Sequence, residues 1–249
     1  MSLAAKIALS PLLVAQAVLT RRRMPRLPEP AGRRQGVAGE PAATPLRLLI
    51  AGDSSAAGVG VVRQSQALAE QLARQLALAC AARVQWRLVA KSGLTTAQTL
   101  HLLQREPPPQ ADVVVLVSGV NDVVDQVPSH RAVRSRESIA NWLRNAHGAQ
   151  HVVFAPLPPV HGFTGLPQPL RWVAGADAHR HNAALRRWAD SRADVSCVDM
   201  QLPLADGLLA SDGFHPGAAA YRLCATAIAQ HIATQVWPQL QLDQLERAP

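Results

Sequence analysis

Leu46–Gly60, which reads LRLLIAGDSSAAGVG, is the stretch that decides the fold. Its apolar run Leu46–Ala51 predicts a buried strand of a parallel sheet. The run stops at Gly52-Asp53-Ser54, and a helical pattern begins near Gln66. Open α/β sheets place reactive groups at the carboxyl ends of their strands, so we expect Ser54 to be exposed there. Backbone N–H groups beside it would be free to bind an anion, which is the setting that a nucleophilic serine needs.

The rest of the chain alternates predicted strands with predicted helices. The strands are Leu46–Ala51, Val84–Ala90, Val113–Ser118, His151–Ala155 and Val195–Met200. Between them, apolar residues recur at helical spacing, as in Leu68, Leu72 and Leu76. This alternation predicts an α/β fold in which helices cover both faces of a five-stranded parallel sheet, a three-layer α/β/α sandwich with right-handed crossovers.

Three short polar blocks follow later strands or precede the last helix. They are Ser92-Gly93, Gly119-Val120-Asn121-Asp122 and Asp212-Gly213-Phe214-His215-Pro216. A serine hydroxyl needs a neighbouring base, and His215 is the candidate because imidazole titrates near neutral pH. Asp212 is close enough in sequence to bind the other ring nitrogen and fix its tautomer. The blocks therefore supply the partners that Ser54 requires.

The attacked carbonyl of an ester becomes an oxyanion and needs donors that are already in place. The chain offers three: the backbone N–H of Ser54, the backbone N–H of Gly93 and the side-chain amide of Asn121. No Gly-x-Ser-x-Gly motif occurs, which argues against a standard α/β-hydrolase. We therefore expect a serine hydrolase built on a different scaffold.

The four blocks, in this order, resemble the signature of the SGNH or GDSL-type esterase and lipase superfamily. The resemblance covers about residues 46–236. It implies a flavodoxin-like strand order 2-1-3-4-5, with Ser54, His215 and Asp212 as the catalytic residues and Ser54, Gly93 and Asn121 as the oxyanion hole. It implies hydrolysis of carboxylic esters, including lysophospholipids or thioesters, through an acyl-enzyme on Ser54. Neither a metal nor a cofactor is expected.

The substrate and the acceptor stay open at this point. Leu157, His161 and Phe163 in the proline-rich loop would line an acyl pocket, although loop packing explains them equally well. O-acyl transfer to sugar hydroxyls, or deacetylation of them, uses the same chemistry. A non-catalytic, membrane-tethered lipid-binding protein is the alternative from another class.

The two ends of the chain lie outside the predicted hydrolase domain, residues 46–236. Residues 1–20 form an apolar leader, residues 21–45 a linker rich in Pro and Arg, and residues 237–249 a C-terminal tail. The formal net charge is +8, but residues 1–45 hold seven basic side chains and two acidic ones, a balance of +5. This distribution argues against nucleic-acid binding and leaves a membrane-surface anchor in residues 1–23 or a frayed helix as alternatives.

The three cysteines, Cys80, Cys197 and Cys224, form neither a CxxC pair nor a metal-ligand pattern. They are read as small buried hydrophobic residues in a reducing compartment. The expected location is cytoplasmic or membrane-associated, and export stays open.

Overall fold

The computed structural model describes residues 3–200, 203 and 207–246. Within these residues the sheet has six strands: β1 Gln35–Ala38, β2 Thr44–Gly52, β3 Ala82–Ala90, β4 Val113–Val117, β5 His151–Phe154 and β6 Val195–Cys197. The helices are α1 Leu3–Arg23, α2 Ser54–Ala57, α3 Leu68–Ala79, α4 Thr96–Arg105, α5 Val120–Val124, α6 Ser129–His147, α7 Leu170–Ala189, α8 Ala218–His231 and α9 Trp237–Glu246.

The five predicted strands are β2 to β6, and their spatial order is β3-β2-β4-β5-β6, all parallel. This is the 2-1-3-4-5 order that the resemblance implies, so the predicted fold class is confirmed. The order places the carboxyl ends of β2 and β4 side by side, since Gly52 lies opposite Val117 in the register. The switch in strand order beside β2 is where open α/β sheets bind ligands.

The predicted count of five strands is wrong by one. β1 pairs antiparallel with β3 and forms an edge of the sheet, inside the stretch that the sequence predicts to be a linker. Only four residues pair, and their exposure alternates between exposed and half-buried. So short an edge strand buries too little apolar surface to leave a periodic signal in the sequence.

Each face of the sheet packs against its own set of helices. Alternate residues of β2 face different helix layers: Leu48 and Ile50 pack with α3 and α8, while Leu49 and Ala51 pack with α4, α6 and α7. Successive side chains of a strand point to opposite faces, so an all-apolar strand is buried on both sides. The result is the three-layer sandwich.

The C-terminal region differs from the predicted tail that starts at residue 237. A π-helical turn, Ile232–Val236, joins α8 to α9, and Trp237 and Leu240 are buried in the layer with α3. Their spacing of three residues puts both on one face of a helix. Residues 247–249 of the predicted tail lie outside the described part of the chain.

The N-terminal leader forms α1 and lies beside the start of α7. The Gln16 side chain donates to the carbonyl of Gln168 at 2.7 Å and accepts from the N–H of Leu170 at 3.1 Å. Among the helices described, none is both long enough and apolar enough to cross a membrane. Residues 1 and 2 of the predicted leader fall outside the described ranges.

Candidate active site

Ser54 stands at the first position of α2, directly after β2. The preceding residue, Asp53, caps this helix by accepting a hydrogen bond from the N–H of Ser55 at 3.0 Å. The strand end and the cap together fix where the Ser54 side chain points. The Nε2 atom of His215 lies 3.1 Å from Ser54 Oγ, within hydrogen-bonding range of a base and its nucleophile.

His215 is held by Asp212 from the other side of its ring. The distance from His215 Nδ1 to Asp212 Oδ2 is 2.6 Å, and Asp212 Oδ1 accepts from the N–H groups of Phe214 and His215, each at 3.0 Å. With Nδ1–H donating to the carboxylate, Nε2 presents its lone pair to Ser54. Burial raises the pKa of Asp212, but the hydrogen bonds from His215 and Phe214 outweigh it and leave that pKa below its usual range. Asp212 therefore stays ionised, as an orienting carboxylate must.

The predicted donors Gly93 and Asn121 lie in the segments that follow β3 and β4, the two strands that flank β2. The Asn121 amide donates one hydrogen to the carbonyl of Leu94 at 2.9 Å, which orients the group and leaves its second N–H available. Gly93 has a φ of +83°, a conformation that favours glycine, and no atom lies within 4 Å of where a Cβ would stand. Its backbone is therefore open to close approach by a substrate.

A network of buried hydrogen bonds links these two segments. Asp122 accepts from the Thr96 N–H at 3.1 Å and from its hydroxyl at 2.5 Å, and the same hydroxyl lies 3.1 Å from Ser118 Oγ. Arg136 is 2% exposed and donates from Nη2 to the carbonyl of Ser118 at 2.9 Å. A Cβ at Gly119 (φ +129°) would come within 2.3 Å of this nitrogen. A residue with a side chain at position 119 would therefore collide with the Arg136 guanidinium in its present place.

The neighbouring carboxyl of Asp53 is also fully buried. Burial raises the pKa of Asp53 to about 7, against the lowering effect of the N–H groups of Ser55 and Gly119. Its Oδ2 atom has no hydrogen-bond partner. A neutral carboxyl tolerates such an environment far better than a charged one.

A cavity of about 380 Å³ opens beside Ser54 and His215. Its apolar lining includes Val120, Pro158, Phe163, Leu208, Leu209 and Phe214. The Phe163 and Phe214 rings meet edge to face with centroids 5.1 Å apart, so they form a rigid wall of the cavity.

Of the three residues predicted to line an acyl pocket, Phe163 lines this cavity and the other two do not. Leu157 is buried in a small apolar cluster with Val123 and Val160, and its backbone N–H and C=O both bind the Asn182 side chain. His161 stacks on His179 with ring centroids 5.8 Å apart. A proline-rich loop has no periodicity from which the inward-facing residues could be read.

Sequence reasoning missed Arg136, although a signal was present. Its position falls on the buried face of α6, in register with Ala132, Ile139 and Leu143. An arginine on an otherwise apolar stripe is rarely buried without a specific partner. The pattern thus contained a hint that a charged group lies beneath the site.

Comparisons with known proteins place both the sequence and the fold among lipases and esterases of the GDSL type. The chain is 28% identical over 197 residues to a GDSL-like esterase of Mycobacterium tuberculosis, covering 72% of this chain and 59% of that relative's length. The fold is similar to the lipase Lip_vut3 from a goat rumen metagenome, with a TM-score of 0.61 and 19% identity over 76% of this chain and 98% of that one. It is also similar to the esterase EstA of Pseudoalteromonas sp., with a TM-score of 0.54 and 17% identity over 78% of this chain and 98% of that one.

The match to a family model decides the relationship. It spans residues 50–223, which contain the Gly-Asp-Ser turn, both flanking loops and the Asp212–His215 segment. The recognition made from the four sequence blocks is therefore confirmed. The chain belongs to the GDSL-like lipase/acylhydrolase family.

Proposed function

We propose that this chain hydrolyses carboxylic esters through an acyl-enzyme on Ser54. The observation that carries the proposal is a chain of two hydrogen-bonding contacts. His215 Nε2 lies 3.1 Å from Ser54 Oγ, and His215 Nδ1 lies 2.6 Å from Asp212 Oδ2. Such a relay activates a hydroxyl that is otherwise a poor nucleophile.

The reaction proceeds in two displacements. Ser54 Oγ attacks the ester carbonyl and its proton passes to His215 Nε2; the bond to the alcohol oxygen then breaks, and the imidazolium protonates the leaving alcohol. A water molecule next attacks the acyl group, giving its proton to Nε2, and the bond to Ser54 Oγ breaks as that oxygen regains the proton. Asp212 stabilises the imidazolium in both steps, while the N–H groups of Ser54, Gly93 and Asn121 stabilise the oxyanion.

The apolar cavity favours an ester whose acyl group is a hydrocarbon chain. Val120, Phe163, Leu209 and Phe214 offer carbon surface in the cavity that Ser54 also lines. Burying an acyl chain there gains about 0.8 kcal/mol for each methylene group that leaves water. We therefore expect kcat/KM to rise with chain length along a p-nitrophenyl ester series until the cavity is filled.

Covalent labelling tests the nucleophile directly. A fluorophosphonate should modify the wild type once, at Ser54, and should not modify Ser54→Ala. The Ser55→Ala variant is the matched control, because Ser55 also lines the cavity and should still leave Ser54 to be labelled. Labelling at another serine, or loss of labelling in Ser55→Ala alone, would refute the assignment. Product analysis with added alcohols or sugars separates hydrolysis from acyl transfer.

We further propose that α1 rests on an anionic membrane surface. Within residues 9–23 of this helix, the side turned toward the protein includes Leu13, Gln16 and Thr20, which are buried or half-buried. The rest of its surface exposes Leu12, Val14, Val18 and Leu19, each at least 45% accessible. Four large apolar residues exposed within eight positions of one helix are typical of an interaction surface rather than of a surface in water.

The charge at the end of α1 selects the partner. Arg21, Arg22 and Arg23 follow the apolar stripe directly, and all three are exposed. In the described part of the chain, no carboxylate forms an ion pair with them. Apolar area combined with a basic cluster favours anionic lipid over a neutral bilayer.

Vesicle flotation tests this surface. The wild type should float with vesicles containing phosphatidylglycerol and much less with phosphatidylcholine alone. Val14→Glu/Val18→Glu should weaken binding by more than about tenfold, because two apolar contacts are replaced by charges that the lipid repels. Leu78→Glu/Val62→Glu is the matched control, since both side chains are over 75% exposed elsewhere. Equal loss in the two variants, or a monomer–dimer shift without vesicle binding, would contradict the proposal.

A further inference from the structure

Residues 29–34, which precede the family-matched region, lie across two loops of the active site. Ala31 donates to the carbonyl of Val62 at 3.2 Å and accepts from the N–H of Gln64 at 2.9 Å, in the loop that follows α2. Pro30 is buried against Gly58, the residue that ends α2. The Arg34 carbonyl accepts from the N–H of Leu88 in β3 at 2.8 Å. This segment therefore connects the Ser54 turn with the strand that leads to Gly93.

Glu29 binds the loop that carries the candidate oxyanion donor. Its Oε1 atom accepts from both the N–H and the hydroxyl of Ser92, each at 2.8 Å. Its Oε2 atom accepts from Arg34 Nη1 at 3.0 Å, and Arg34 Nη2 donates to the carbonyl of Ala90. The turn from Ala90 to Ser92 is thus held at both ends by one ion pair.

The ion pair persists at neutral pH. Burial raises the pKa of Glu29, but hydrogen bonds from Ser92 and Arg34 and the nearby Arg34 charge leave it lowered overall. The side chains of Glu29 and Arg34 are 29% and 38% exposed, so solvent reaches the pair only in part.

We infer that Glu29 and Arg34 are positioning residues for the Gly93 N–H. The direction of that N–H is set by the backbone of Ser92, whose own N–H and side chain Glu29 holds. Gly93 itself is exposed and meets no neighbouring atom on its Cβ side. The other hydrogen bonds of this loop lie on either side of it, from the Lys91 N–H to the Gly52 carbonyl and from the Asn121 amide to the Leu94 carbonyl. An oxyanion donor works only if it is aligned before the reaction, because reorientation during the reaction costs free energy.

Arg34 has a second consequence for the site. A carboxylate bound to Ser92 is a negative charge close to the place where the oxyanion develops, and by itself it would oppose that charge. Arg34 neutralises Glu29 where it stands. The Glu29–Arg34 ion pair can therefore orient the loop without repelling the negative charge that develops in the transition state.

The test compares Glu29→Ala with Glu29→Gln. The inference rests on the proposed ester hydrolysis, and the readout is kcat separated from KM on a soluble p-nitrophenyl ester. Glu29→Ala should lower kcat about tenfold with KM within about twofold, a part of the about 100-fold loss expected when one donor is removed entirely. Glu29→Gln keeps an acceptor for Ser92 and should recover most of the activity. Glu137→Ala, which breaks the ion pair with Arg192, is the control and should leave kcat unchanged.

A second measurement does not depend on turnover. Hydrogen exchange of the peptide that carries residues 91–94 should speed up in Glu29→Ala and stay near wild type in Glu29→Gln and Glu137→Ala. Unchanged kcat and unchanged exchange in Glu29→Ala would overturn the inference while leaving the proposed function intact. Wild-type protein that neither hydrolyses esters nor reacts at Ser54 would refute the proposed function, whereas the exchange result would still decide whether Glu29 holds the loop.

Discussion

Asn121 is the proposed oxyanion donor whose contribution is easiest to isolate, because it would act through a side chain. One amide hydrogen already binds the Leu94 carbonyl, so the group is oriented before substrate arrives. Asn121→Ala should lower kcat by about 10²–10³ with little change in KM, since the donor stabilises charge that exists only in the transition state. Steady-state kinetics measure this, with Asn141→Ala on α6 as the control. A rise in KM at unchanged kcat would mean that Asn121 binds substrate instead.

The raised pKa of Asp53 predicts that the stability of the protein depends on pH. Its pKa is raised to about 7 in the folded state, so the folded protein keeps a proton that the unfolded chain releases from about pH 4 upward. The unfolding free energy should therefore fall as pH rises through this window, by on the order of 2 kcal/mol between pH 5 and pH 8. Asp53→Asn carries no titrating proton and should lack that fall.

Urea unfolding of both proteins at pH 5 and pH 8 gives the comparison. The exposed Asp125→Asn serves as the control and should follow the wild type. An identical pH dependence in wild type and Asp53→Asn would show that Asp53 is ionised in the folded protein at neutral pH.

Arg136 shows where residue-level prediction stops. The sequence places the arginine on the apolar stripe of α6, but a stripe does not tell which loop the guanidinium meets. Its partners, the Ser118 carbonyl and the space beside Gly119, come from a segment 18 residues earlier. Contacts between separate elements depend on packing angles that no local pattern encodes.

Among the elements, those with long apolar repeats could be predicted and the short or irregular ones could not. The core strands β2 and β4 are apolar on both faces, so their runs stand out, and four-residue spacing marks α3. β1 pairs through backbone atoms with an edge that β3 offers, and its own side chains stay largely exposed. Pairing decided by a partner strand leaves little trace in the sequence of the strand itself.

The predicted C-terminal tail gives an element-level prediction. Trp237 is 4% exposed and belongs to the core layer with α3 and α8, so its truncation would leave a large cavity. Trp237→Ala should lower the unfolding free energy by about 3–5 kcal/mol. Trp172→Ala, at a tryptophan that is 50% exposed, should cost less than about 1 kcal/mol. Equal denaturation midpoints for the two variants would mean that α9 contributes nothing to the core.

At the scale of the whole molecule, the site depends on residues distributed over most of the chain. Ser54, Gly93, Asn121 and His215 follow four different elements, and parallel strands bring them to one edge. This convergence was predictable because the carboxyl ends of neighbouring parallel strands must meet. The role that we infer for Glu29 in positioning the Gly93 loop was not predictable, because Glu29 precedes the first predicted strand in a segment with no periodicity. The antiparallel pairing of β1, together with the contacts of Pro30 and Ala31 with residues 58–64, brings Glu29 back to the site.

Two deletions separate the roles of the N-terminal segments. Removal of residues 1–24 takes away α1, which touches the domain through a narrow stripe; solution kcat on a soluble ester should stay within about twofold, while anionic vesicle binding is lost.

Removal of residues 1–39 also removes Glu29, Pro30 and β1, and exposes the edge of β3 and the apolar surface that Pro30 covers. This protein should melt several degrees lower than the shorter deletion, since about 1 kcal/mol shifts the midpoint by about 2–4 °C in a domain of this size. Its kcat should fall at least as far as that of Glu29→Ala even at temperatures where it stays folded, as judged by circular dichroism. Equal melting points and equal kcat for the two deletions would mean that residues 25–39 are a tether and that the hydrolase domain begins where the sequence alone predicts.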